Sequence, residues 1–129
     1  MTRNELLLSL RPEIEIPNTE EMDETAQFTN RILRPILKFQ NESILVLFQT
    51  EVKALGINFD ELSRFKKQEV IREMMKKNHH FRDVILGMVM GMLTEEELTW
   101  LLGNRREISR RLSEMVIERI KSQTEEKNA

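Results

Sequence analysis

The chain has 129 residues, a third of them charged, with 20 Lys and Arg set against 22 Asp and Glu for a net charge of −2. A length of that order suits one domain with its own core, and near-neutrality excludes the overall basic footprint of a nucleic-acid or anionic-lipid binder. The absence of cysteine excludes disulfides, thiolate nucleophiles and Cys-ligated zinc together, which fits a reducing cytoplasmic setting.

In chain order, the apolar run Leu6-Leu7-Leu8 is too short, and too soon followed by acids, for a secretory signal. No stretch approaches the ~18–20 apolar residues of a membrane span, so no membrane partner is expected. Asn4 to Leu10 suits one or two helical turns ended by Pro12, and Pro12 and Pro17 bracket an extended acidic connector. Residues 1–18 thus read as an arm. Its Leu6, Leu7, Leu8, Leu10, Ile14 and Ile16 need cover from the helical body or from a second copy of the chain.

Residues 19–122 carry helical periodicity and no strand-length alternation, which predicts an all-α fold, an irregular bundle of five or six helices. The first long helix is expected from near Thr19 to Leu55, with Gly56 as the residue beyond its end. Pro35 lies inside it and predicts a kink or a break near Asn30 to Arg34. Beyond the proline, Ile36, Phe39, Ile44, Leu47 and Phe48, flanked by Leu37, Leu45 and Val46, form a wide apolar surface. Asn58 or Ser63 caps the next helix, whose Phe65, Val70, Ile71, Met74 and Met75 are expected inward. Phe81 to Leu93 then reads as a central helix surrounded by the others, with Gly87 and Gly91 giving a neighbouring backbone room to approach. Thr94-x-x-Glu97 is a capping box for a short helix to Leu102, ended by Gly103. Asn104-x-x-Glu107 repeats the device for a last helix with Ile108, Leu112, Met115, Val116 and Ile120 inward, fraying from Lys121 and leaving 123–129 as a tail.

Charge is unevenly spread. Residues 13–24 hold six acids and no base, a local −6, whereas residues 64–77 hold six bases and two acids, a local +4. The two segments are candidates for docking on each other, although exposed ion pairs each contribute only ~0–1 kcal/mol.

Among candidate sites, Arg31, Arg34 and Lys38 share a helix face beside the proline, where freed backbone groups help basic side chains hold an anion or a partner's carboxylate. Gln40, Asn41 and Glu42 interrupt an apolar run, so any of them turned inward needs a hydrogen-bond partner, for which the arm is a candidate. The competing reading is the water-facing side of an amphipathic helix. Residues 98–112 are similar to the helix-turn-helix of bacterial regulators, with Arg105, Arg106, Arg110 and Arg111 on the second helix. The connection after Gly103 is one residue too short for that motif, and Glu107, Glu114 and Glu118 stand at ion-pair spacing from the arginines, as on a solvated face. Nucleic acid is therefore the alternative partner, with the expected one a protein.

His79 and His80 are the only histidines, and neighbours on a helix point about 100° apart, so they do not make a metal site. They suit a junction between helices. Met74, Met75, Met88, Met90 and Met92 could line an adaptable groove, but at this spacing plain core is the simpler reading. No Gly-rich phosphate loop, Ser–His–acid arrangement or repeated Glu-x-x-His pattern is present, so neither cofactor nor catalysis is expected.

The run Arg34-Pro-Ile-Leu-Lys-Phe-Gln-Asn-Glu42, with Leu6 to Arg11-Pro12 ahead of it and Phe81-Arg-Asp and Thr94-x-Glu-Glu behind, resembles a family of short, uncharacterised, all-helical bacterial proteins. Members sometimes carry the label glyoxalase, so the resemblance implies that activity. The residues oppose it: one known type uses paired βαβββ modules with His and Glu metal ligands, another a His-rich motif, and this chain has neither. The expectation is a helical protein acting through protein contacts, associating with itself because its apolar arm and helices exceed what a small body hides.

Overall fold

In the computed structural model, which describes residues 1–16 and 21–126, every regular element is helical. Helix α1 is Arg3–Leu10, α2 is Glu24–Phe28, α3 is Arg34–Phe39, α4 is Asn41–Ala54, α5 is Arg64–Lys77, α6 is His79–Met90, α7 is Glu95–Gly103 and α8 is Arg105–Glu126. The chain is all-α, as its periodicity predicts. Among the described residues, no helix is long and apolar enough to cross a membrane.

Capping residues set most of the boundaries. Thr2, Asp23, Ser63, Asn78 and Thr94 each accept a backbone N–H with the side chain at the start of α1, α2, α5, α6 and α7. At Thr94 the capping box is complete: Glu97 N–H donates to Thr94 Oγ1 at 3.3 Å and Thr94 N–H to Glu97 Oε1 at 2.9 Å. Helix α4 ends in a Schellman turn, in which Gly56 at φ 78° donates to Lys53 O and Ile57 to Val52 O. Asn104 behaves differently from the second capping box expected of it. Its amide donates to Trp100 O at 2.9 Å and so closes the end of α7. Helix α8 also outlasts its expected fraying, reaching Glu126.

Thr19, the expected start of the first long helix, lies outside the described residues; α2 begins instead at Glu24, behind the Asp23 cap. Where Pro35 predicts a kink or break, a π-helical turn spans Thr29–Leu33 and leads into α3, with Arg34 N–H donating to Thr29 O. One extra residue in that turn moves the missing proline donor out of a regular ladder. Two carbonyls in the widened stretch gain side-chain partners, Thr29 Oγ1 donating to Thr25 O and Asn30 Nδ2 to Ala26 O, each at 2.9 Å. The helix therefore continues past a residue that would otherwise end it.

The core gathers one stripe from each main helix: Leu33, Ile36 and Leu37, then Ile44, Phe48 and Val52, Ile71, Met74 and Met75, Phe81, Ile85 and Val89, Leu101, and Ile108, Leu112, Val116, Ile117 and Ile120. Helix α6 packs against α4, α5 and α8. It does so with one face only. Gly87 and Gly91 lie on the exposed side beside Asp83, and no other part of the chain comes within 4 Å of a Cβ built on Gly87. The expected close approach of a neighbouring backbone is thus absent among the described residues; glycine inflated the apolar count while contributing no side chain to bury. One further expectation, an inward Phe65, fails. Phe65 in the first turn of α5 is 71% exposed, while Phe39, at the end of α3 where the chain turns into α4 through Gln40 (ψ 3°), is about half exposed within its apolar surface.

Candidate functional site

The arm is fastened by two arginines. Arg11 donates from Nη1 to Glu97 Oε2 at 2.7 Å, from Nη2 to Glu97 Oε1, and again from Nη2 to Met92 O at 3.1 Å. Arg3 reaches Leu93 O at 3.2 Å and Gly91 O at 3.4 Å. Both therefore grip the short turn between α6 and α7, while Leu7 packs on the core and Leu6, Leu8 and Leu10 stay about half exposed. Glu97 serves the cap and the clamp together. Burial pushes its carboxyl up, but the Arg11 hydrogen bonds and charge and the Thr94 backbone donor outweigh burial and hold it below the usual carboxylate range. Of the acidic segment expected to dock on the basic α5, residues 17–20 lie outside the described residues, and among the described ones no ion pair joins the two; the arm's arginines pair with Glu95 and Glu97 on α7.

Fastening the arm there creates a groove of about 580 Å³ between α1, the α2–π segment and α7. Leu8, Phe28, Ile32 and Trp100 give it apolar walls, and Glu24, Glu96 and Arg31 stand along its rim. Trp100, the single tryptophan of the chain, stacks on Phe28 with ring centroids 4.6 Å apart. The segments on either side add exposed acids at Glu13, Glu15 and Glu21. Helix α5 offers the opposite character: Phe65 projects between Arg64 and Lys66, with Arg72, Lys76 and Lys77 further along the exposed side. Lys67, alone among these bases, turns inward and sets its ammonium 5.4 Å from the centre of the Phe59 ring.

The stripe expected from Arg31, Arg34 and Lys38 is divided by the π turn. Arg31 falls on the rim of the Trp100 groove, Lys38 is exposed, and Arg34 lines a separate groove with Arg119 of α8. Of the three polar residues behind the proline, Gln40 donates to Met88 O at 3.3 Å and Asn41 exchanges hydrogen bonds with Gln123 at 2.8 and 2.9 Å. Their partners lie on α6 and α8, not on the arm, and Glu42 stays at the surface. Arg119 and Gln123 are absent from the sequence reading because nothing local announces them; only the α3–α8 crossing brings them beside Arg34 and Asn41.

On α8, Glu107 Oε1 accepts from Arg110 at 2.8 Å and from Arg111 at 3.0 Å, and these bonds lower its pKa. Arg105 and Arg106 are exposed, and a single residue, Asn104, separates α7 from α8. His79 and His80 open α6 at the junction with α5, His79 beside Arg82 at 2.7 Å and His80 beside Glu51 at 3.8 Å. Among the described residues, no group of three or more His, Asp and Glu is placed to hold a metal ion.

The fold and this groove define a helical domain in which an aromatic-walled recess with acids at its rim and a basic helix tipped by Phe65 lie on different elements. Set against known proteins, the chain matches no protein family, no curated protein and no solved structure.

Proposed function

We propose that the chain is a non-catalytic helical protein that acts through protein contacts and associates with itself, Phe65 of one copy entering the Trp100 groove of another. One observation carries this reading: a large aromatic side chain stands 71% exposed among bases, while a groove with aromatic walls and acids at its rim lies on different elements of the same chain. Burying an exposed Phe contributes about 1.5–3 kcal/mol, and aromatic anchors in pockets are the usual centres of binding energy. Lys66 and Arg72 would then face Glu24 and Glu96, setting orientation and making the contact sensitive to salt. Two different faces meet, so the contact is head-to-tail and either closes into a ring or extends.

Sedimentation of the full chain at low and high salt tests this. Mass should rise with concentration at low salt and fall back at high salt, and Phe65→Ser and Glu96→Lys should each hold the protein monomeric. A wild-type chain that stays monomeric at both salts overturns the reading.

The alternative, nucleic-acid binding by the 95–121 segment, is favoured by exposed Arg105 and Arg106, neither of which forms an ion pair among the described residues. Against it stand the one-residue link before α8, shorter than the three or four residues of a helix-turn-helix, and the pairing of Arg110 and Arg111 with Glu107. DNA association that weakens with salt and with Arg105→Ala and Arg106→Ala would establish the alternative. Glyoxalase-type turnover, implied by the family resemblance, is the third reading, and a methylglyoxal assay with added zinc or nickel decides it.

A further inference from the structure

The geometry points to a second binding site, independent of the Trp100 groove: the recess between α3 and α8 takes the dianionic phosphate of a small phosphomonoester between Arg34 and Arg119. The recess is about 500 Å³ and is lined by Leu37, Met115 and Ser122 besides the two arginines and Gln123. Arg3, Arg11, Arg110 and Arg111 each have an acidic partner, whereas Arg105 and Arg106 stand exposed to water. Here, among the described residues, neither holds. Arg34 donates only to the neutral Asn30 Oδ1 at 3.3 Å, and Arg119 only to Asn41 Oδ1 at 3.4 Å. Glu118 also borders the recess, and among the described residues it forms no ion pair with either guanidinium.

Two like charges are thus packed against one recess with most of their donors unused. Burial and the neighbouring Arg34 charge both push the Arg119 pKa down, the direction that an incoming anion would reverse. The surroundings are already ordered. Asn41 and Gln123 bind each other through both amide groups, and Gln123 Nε2 also donates to Arg119 O at 2.9 Å. A pre-set wall lowers the ordering cost of binding. Guanidinium forks match phosphate oxygens, and a dianion balances both charges where a single carboxylate leaves one uncompensated. The space exceeds a bare phosphate, and Leu37 and Met115 offer an apolar floor to the organic part of an ester.

Calorimetric titration of the full chain at low salt with inorganic phosphate, phenyl phosphate, benzoate and a capped phosphoserine peptide tests the assignment. Phenyl phosphate should bind at least tenfold more tightly than benzoate and more tightly than inorganic phosphate. Arg34→Gln and Arg119→Gln should each weaken it at least tenfold, with Arg105→Gln as an unaffected control. Thermal melts should show both variants folded, Arg119→Gln no less stable than wild type because it relieves a repulsion. Equal binding of benzoate, or undiminished binding by the folded Arg34→Gln/Arg119→Gln double variant, overturns the site. Tighter binding of the phosphopeptide than of phenyl phosphate overturns the small-molecule assignment in favour of a phosphorylated partner.

Discussion

Replacing Arg11 with alanine should release the arm. The side chains of Arg11 and Glu97 are only 10% and 15% exposed, and they meet through two parallel hydrogen bonds. Breaking a fully buried pair by removing one partner costs about 3–5 kcal/mol. Residual exposure, and an Arg11 Nε already buried without a partner, reduce that here, so the expected loss is about 2–3 kcal/mol. At this chain length it corresponds to a melting point lower by about 7–11 °C. Thermal unfolding followed by circular dichroism measures the loss, and hydrogen exchange should show the α1 amides opening ahead of the rest. Glu97→Gln keeps a residue able to complete the capping box but removes the charge, so it should lose less than Arg11→Ala, and the two changes together should fall short of their sum. The sign with pH follows from Glu97. Its folded pKa is depressed, so its contribution is complete above the ordinary carboxylate value of 4.5 and disappears as pH falls through the lower folded value. Wild type should therefore lose stability below about pH 4.5 more steeply than Arg11→Ala. A loss under about 0.5 kcal/mol with unchanged α1 exchange would refute the clamp.

Other substitutions test the backbone. Gly87→Ala should stabilise by about 0.5–1 kcal/mol, because the site is helical, exposed and open around a new Cβ; a loss in urea unfolding would mean that the glycine serves a contact outside this chain. Gly56→Ala should do the opposite, losing about 1–2 kcal/mol in the same assay, since φ 78° strains any residue with a side chain although space is free. Thr94→Ala should lose about 1 kcal/mol with the cap of α7, and it should speed exchange of the α7 amides more than those of α8.

Signals that act within one helical turn were legible from the residues alone: the Thr94 box, Ser63 as one of two candidate caps beside Asn58, Gly56 beyond α4, and the location, though not the form, of the disturbance before Pro35. The π turn escaped because a proline allows several remedies, and the choice here involves the side chains of Thr29 and Asn30 reaching back to Thr25 and Ala26. Helix phase was harder. Phe65 reads as an inward residue of α5, yet the face that is buried runs through Lys67, Ile71, Met74 and Met75, and Phe65 lies off it. Counting glycine as apolar placed α6 at the centre, though Phe81, Ile85 and Val89 are its fully buried residues, with Leu86 and Met88 packing on the core from the flanks. Neither groove could be read from the sequence, since each depends on where distant segments cross: Arg11 with Glu97 for one, Arg34 with Arg119 for the other.

The central claim, that one copy's Phe65 occupies another's Trp100 groove, is read most directly by tryptophan emission, because Trp100 is the only reporter in the chain. Across a dilution series at low salt, the wild-type emission should shift to the red as the complex dissociates, while Phe65→Ser holds the dissociated value at every concentration. Emission independent of concentration in the wild type, or a shift of the same size in Phe65→Ser, would contradict it.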